Sequence, residues 1–294
     1  MSRPIYKTNK RMNIKRTFRK FFALSAAIMM AATFTACSNE DTPIPQPTDE
    51  IEEQLRQMTL SEKVGQMFFI RPEALDTTIH WNVYDDLMPL ELQTVNNCMK
   101  GVNQKYPVGG IILYAWNIKD EAQLAQFMPQ LKALNGRPLM CIDEEGGRVA
   151  RIANNDNFHV KKYESMAAIG ATGDPANAYE CGNTIGTYLN RYGFDIDFAP
   201  VADVNTNPEN IVIGPRAFSD NPAVAAPMVT NYLQGLKDAG IVGCIQAGAD
   251  IVLCSKDFIR AFNTIVKSVE NGTITEERIN QSVRRILKLK KQHE

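Results

Sequence analysis

The sequence predicts an α/β protein built on a parallel sheet with helices packed outside it. Short unbroken apolar runs, of which Leu139–Ile142 is the cleanest, have the length and composition of strands covered on both faces. Between such runs lie longer segments with apolar residues at helical spacing, and strand following helix following strand implies parallel pairing. A third observation places function at one end of that sheet. The run at Leu139 breaks into Asp143, Glu144 and Glu145, then Gly146-Gly147, then Arg148 and Arg151. In parallel α/β architectures ligands bind at the C-terminal ends of strands, where the following loops converge. The two glycines let the backbone turn sharply or approach a ligand closely. Acids beside arginines form a forked set of acceptors and donors suited to vicinal hydroxyls of a sugar, and the same stretch also reads as a salt-bridged loop around a Gly-Gly turn.

Taken in order, residues 51–58 are helix-prone, and Thr59-Leu-Ser-Glu62 is a capping box that opens a short helix leading to a first strand over 64–70. A second strand, 108–114, follows Pro107. Residues 120–134 form an amphipathic helix that delivers the third strand, Leu139–Ile142, and Asp143. Asp174-Pro175 opens a helix reaching about Tyr192, with proline in the first turn where its missing N–H is not needed. A fourth strand spans 194–204; its Asp195, Asp197 and Asp203 are unusual in a core strand and imply polar partners inside. An Asn-rich loop (Asn205, Asn207, Asn210) and Arg216 precede a helix over 221–239.

The alternation then fails. Residues 241–244 and 251–254 both read as strands, yet only Ile245-Gln-Ala-Gly-Ala-Asp250 separates them. A parallel crossover needs about a dozen residues or more, so these two segments are not consecutive strands joined in the usual way. The tail recovers with a helix over 257–270, a stop at Gly272, and a last helix capped by Thr275 with Ile279, Val283, Ile286 and Leu287 on one face. There is no internal repeat and no phosphate-binding glycine loop, because Gly170-Ala-Thr-Gly173 lacks both the strand before it and the lysine after it.

The first 36 of the 294 residues stand apart. Arg3, Lys7, Lys10, Arg11, Lys15, Arg16, Arg19 and Lys20, with no acid, precede an apolar run over 21–36, the n-region and h-region of a signal peptide. Phe34-Thr-Ala-Cys37 resembles a bacterial lipobox, which makes Cys37 the expected lipidated residue. Residues 37–50, with Pro43, Pro45 and Pro47, read as an extended tether, and 51–294 as the folded domain. The expected protein is exported and anchored by lipid to the cell envelope. Removing those eight basic residues from 32 leaves 24 against 33 acids, a net charge of −9 that argues against nucleic acid as a partner. The cysteines beyond Cys37 show no C-x-x-C spacing or metal-like cluster, so no metal or cofactor is expected; Cys141, Cys244 and Cys254 read as small buried hydrophobes.

Three words stand in one order: Ile-Asp-Glu-Glu-Gly-Gly-Arg-Val-Ala-Arg at 142–151, Asp-Phe-Ala-Pro-Val-Ala-Asp-Val-Asn at 197–205, and Ile-Gly-Pro-Arg-Ala-Phe-Ser at 213–219. Together they resemble glycoside hydrolase family 3, most closely its β-N-acetylhexosaminidase branch, which trims N-acetylglucosamine from cell-wall fragments. The resemblance implies a (β/α)8 TIM-type barrel, here predicted incomplete, with six strands recognisable of eight. It implies that Asp143 accepts hydrogen bonds from hydroxyls of a terminal N-acetylglucosamine and that Arg151 and Arg216 position its polar groups. Glu145 and Arg148 are assigned to bracing the loop, and Asp203 to either role. Pro215 departs from many relatives and removes a possible acidic neighbour of Arg216.

The resemblance also implies what is missing. Members of the branch use an aspartate nucleophile in a Ser-Asp-Asp-Leu-like word, a histidine acid/base supported by an aspartate, and a sugar-binding Lys-His pair. In family order all of these fall between Gly243 and Gln246, where this sequence has none of them. The domain therefore reads as truncated internally near 244–246. Its three histidines, His80, His159 and His293, sit in no matching word and are assigned to surface or capping roles. Asp250 matches the last-strand word and is assigned a structural role. Two readings stand: a β-N-acetylhexosaminidase acting on N-acetylglucosamine-containing glycans or peptidoglycan fragments, and a catalytically inactive glycan-binding lipoprotein. An unclosed barrel further implies low stability and self-association through its open edge.

Overall fold

The computed structural model describes residues 49–79, 91–243, 251–254 and 257–293. The predicted signal peptide, all but the last two residues of the tether, Cys37, His80, Cys244 and Asp250 lie outside the described residues.

Asp49 caps α1 (Glu50–Gln57), which begins one residue inside the predicted tether. Thr59 and Glu62 form the predicted capping box at the head of α2 (Leu60–Gln66). The strand predicted over 64–70 is shorter than expected. Val64, Gly65 and Gln66 finish α2, and only Phe68–Ile70 form β1. Nucleating a helix is costly and each residue added after the first turn gains a hydrogen bond, so the capped helix extends into the front of the apolar run. Then come α3 (Asn97–Lys105), β2 (Gly110–Leu113), α4 (Glu121–Lys132) and β3 (Leu139–Ile142). Helix α3 has no counterpart among the sequence-based expectations, although Asn96 caps it through the N–H of Met99. A small antiparallel hairpin, β4 (Glu144–Gly146) and β5 (Val149–Ala150), follows, then α5 (Met166–Gly170), α6 (Pro175–Arg191) and β6 (Ile196–Asp197). The strand predicted over 194–204 reduces to those two residues. From Phe198 onward the chain leaves the sheet, and Asp203 is exposed on the loop. The remaining elements are α7 (Pro222–Asp238), β7 (Val242–Gly243), β8 (Val252–Leu253), α8 (Phe258–Glu270) and α9 (Glu276–Lys291).

Six strands form one parallel sheet in the order β7-β6-β3-β2-β1-β8. Strands β7 and β8, the two runs too close in sequence for a crossover, do not pair. They occupy opposite edges, β7 on β6 and β8 on β1. Pairing of the last strand with the first is how a barrel closes, so β8 takes the place of a final stave and the order breaks between β7 and β8. The result is an open half-barrel with helices outside. Alternation along each strand separates two packing layers. Phe68, Ile70, Ile111, Leu113, Met140 and Ile142 pack outward against the helices. Phe69, Ile112, Leu139, Cys141 and Ile196 form a smaller inner cluster. The four inner strands are wholly buried, whereas the residues of β7 and β8 are only partly so, as two unsealed edges require.

Candidate functional site

The C-terminal end of β3 carries the acids, and the hairpin β4–β5 folds them back over the sheet. Gly146 (φ +86°) and Gly147 (φ +65°) make the turn. A Cβ on Gly147 would stand 2.9 Å from the Cα of Ser165 and 3.0 Å from the carbonyl of Glu164, so the close approach this glycine permits is to the protein's own backbone, while a Cβ on Gly146 would meet the side chain of Met166 at 2.7 Å.

Glu144, to which the sequence assigns no role, is the hub. It is fully buried and accepts the backbone N–H groups of Arg151, Ile152 (2.9 Å) and Ala153 (2.8 Å) and the hydroxyl of Tyr188 (2.8 Å). Burial pushes its pKa up, against the pull of those donors. Beside it Asp197, buried at the end of β6, accepts the N–H of Glu144 at 2.9 Å. Its second oxygen has no partner among the described residues. Burial first, then the neighbouring carboxylates Glu144, Asp143 and Glu145, drives the Asp197 pKa well above the usual range. These contacts, with the N–H of Met140 donating to Asp195 at 2.7 Å and Lys132 pairing with it at 3.1 Å, supply the polar partners that the two aspartates imply.

A carboxyl whose folded-state pKa is raised favours folding when protonated, so its contribution is complete below the unfolded pKa and is lost as pH rises through the folded one. Asp197→Asn keeps the acceptor and removes the charge. It is expected to raise stability by about 1 kcal/mol at pH 8 and to leave it unchanged in acid, where wild type is already protonated. Melting curves between pH 4 and pH 9 check this; equal shifts at both ends would contradict it.

Toward solvent the acids meet the arginines. Arg151 Nη2 donates to Asp143 Oδ2 at 3.0 Å, each side chain about a quarter exposed. Arg216 grips Glu145 with two parallel bonds, Nε to Oε2 at 2.7 Å and Nη2 to Oε1 at 2.6 Å, and its pKa is raised by that pairing. Arg148 donates to the carbonyls of Ile211 (2.9 Å) and Val212 (2.6 Å), tying the hairpin to the Asn-rich loop. Asp143, Glu145, Arg151 and Arg216 therefore share one end of the sheet, Arg148 sits beside them, and Asp203 contributes charge toward Arg216 from an exposed position. His159 is exposed, and His293 lies at the other end of the sheet, 3.9 Å from Asp195. Cys141 is buried as expected, while Cys254 is half-buried beside Tyr114. No group of three His, Cys, Asp or Glu among the described residues is arranged to hold a metal ion.

A cavity of about 550 Å3 opens at the N-terminal end of the strands, among Gln66, Pro107, Leu139, Asp195 and Lys290. Concavity alone would select that end. The convergence of acids, arginines and strand C-termini selects the other, and chemistry outweighs volume here.

Comparison with known proteins agrees with the architecture. Residues 59–246 match the glycosyl hydrolase family 3 N-terminal domain. Beta-hexosaminidase A of Pseudoalteromonas piscicida is 35% identical over 152 residues, 48% of this chain and 25% of that protein. The beta-hexosaminidase of Thiobacillus denitrificans is 36% identical over 144 residues, 47% of this chain and 39% of that protein. The chain thus spans a quarter to two-fifths of the length of these relatives. A glycoside hydrolase family 3 beta-N-acetylglucosaminidase from Paenibacillus has the same fold, with a TM-score of 0.67, 22% identity, and coverage of 80% of this chain and 63% of that one.

Proposed function

Because this chain belongs to glycosyl hydrolase family 3, we propose that it presents the sugar-recognition half of a β-N-acetylhexosaminidase-type site, and that hydrolysis is lost or strongly reduced. The ligand is the terminal N-acetylglucosamine of a glycan or peptidoglycan fragment. Asp143 accepts from its hydroxyls, Arg151 and Arg216 orient its polar groups, and Glu145 and Arg148 hold the loops that carry them. The observation that carries this reading is the Asp143–Arg151 pair at the end of β3, on a sheet whose order breaks between β7 and β8. From Gly243 to Val252 the chain has nine residue steps, a reach of roughly 30 Å when extended, enough to cross an open side but too little for two further strands and their helices. Retaining hydrolysis needs a nucleophile and a proton donor on opposite faces of the sugar, and the words that supply them in the family are absent there.

The reading includes the lipid anchor at Cys37, which would hold the domain at the cell envelope, and association of copies through the partly buried edges β7 and β8. Calorimetric titration with N-acetylglucosamine tests the binding claim. Wild type is expected to bind, and Asp143→Ala to lose at least about tenfold in affinity through loss of a charged acceptor. Equal affinities would remove Asp143 from the site.

A further inference from the structure

We propose that the stacked side chains of Tyr114 and Trp116 form a platform for a second sugar ring, next to the one held at Asp143 and Arg151. This deepens the sugar-binding reading and rests on it.

Both aromatics leave the C-terminal end of β2, the neighbour of β3 in the sheet, so they flank the acid cluster. Their rings lie nearly parallel, 13° apart with centroids at 4.7 Å. The guanidinium of Arg151, the group that donates to Asp143, stands 5.5 Å from the centre of the Tyr114 ring, and that of Arg71 stands at 5.8 Å. Asp143, Arg151, Tyr114 and Trp116 thus form one continuous row of contacts.

Trp116 is fixed by its polar edge. Its indole N–H donates to Glu73 Oε1 at 2.9 Å, and Asn117 Nδ2 donates to the same oxygen at 2.7 Å. Glu73 and Asn117 are buried, and Asn117 Oδ1 in turn accepts the N–H of Tyr114 at 3.0 Å. A buried carboxylate and a buried amide are therefore committed to holding an indole that remains partly exposed at the ligand end of the sheet. One face of that indole lies on Tyr114, and among the described residues no second ring stacks on it.

A rigid, partly exposed aromatic face has a chemical counterpart in a pyranose. The ring carries an apolar face of C–H groups and a polar rim, so it buries that face on the indole while its rim stays in water. An immobilised platform loses little side-chain entropy on binding. The favoured ligand is therefore an oligosaccharide of at least two pyranose rings, rather than N-acetylglucosamine joined to a small non-sugar group.

Calorimetry with N-acetylglucosamine and its β-1,4-linked disaccharide, on the full chain, tests this. Wild type is expected to bind the disaccharide about five to ten times more tightly than the monosaccharide. Trp116→Ala is expected to bring that ratio near one and Trp116→Phe to retain part of it, with circular dichroism confirming the fold of each. Disaccharide binding should also quench tryptophan emission in wild type more strongly than monosaccharide binding. An undiminished ratio in folded Trp116→Ala overturns the platform. Monosaccharide binding without disaccharide preference in wild type overturns it too, and leaves the N-acetylglucosamine site standing. Binding of neither sugar by folded wild type overturns both.

Discussion

Replacing Glu144 with alanine is expected to cost the fold at least about 4 kcal/mol. The carboxylate satisfies three backbone N–H groups and the Tyr188 hydroxyl inside the protein. Removing it leaves four donors without an acceptor, three of them buried at about 1–3 kcal/mol each, and opens a cavity beneath the hairpin. Since a domain is stable by only about 5–15 kcal/mol in total, Glu144→Ala should lower the melting temperature by roughly 10 °C or more. Glu144→Gln should fall between, because one amide oxygen can serve two of the donors while its NH2 faces the others. The effect reaches the site, since Arg151 is one of the residues whose backbone Glu144 holds. Chemical denaturation of the three proteins measures the order; a neutral Glu144→Ala would mean that the hub carries no load.

The second large effect is on chemistry. Members of the resembled branch bring a nucleophilic aspartate and a histidine acid/base to the sugar from words that this sequence lacks between Gly243 and Gln246. General acid–base assistance alone is worth about 100- to 10,000-fold, and residues that act as a unit lose far more together. Turnover of an N-acetylglucosaminide is therefore expected to fall several orders of magnitude below that of a complete hexosaminidase assayed alongside. Recovery of activity with a histidine placed on the exposed loops is not expected, since the nucleophile would still be absent.

Much of the scaffold was legible because its signals are local. Leu139–Ile142 is an unbroken apolar run and folds as predicted, and Asp120, Asp174, Asn221 and Thr275 each cap the helix they announce. The failure of the alternation after 241 was legible too, because six residues cannot contain a helix and a return. Its consequence, with β7 and β8 on opposite edges, is what the sheet shows. The misses share a cause. In 64–70 and 194–204 apolarity continues past the element boundary, and hydrophobic pattern cannot distinguish a strand from a helix end or a buried loop. At the site, Asp143, Glu145, Arg151 and Arg216 were singled out by word and charge. Glu144 was not, because its importance lies in donors that reach it from 151–153 and from α6, contacts that exist only once the hairpin has closed. Trp116 carries no such signal for a similar reason: an aromatic just after a strand looks like core, and its role depends on the bond from its indole to Glu73.

A half-barrel that carries the proposed recognition residues without the family's catalytic words is expected not to break a glycosidic bond. Purified full chain and its Asp143→Ala variant, both confirmed folded, should be assayed on a chromogenic N-acetylglucosaminide. Release at the same background rate from both is expected, and sustained release by wild type that Asp143→Ala abolishes would contradict it.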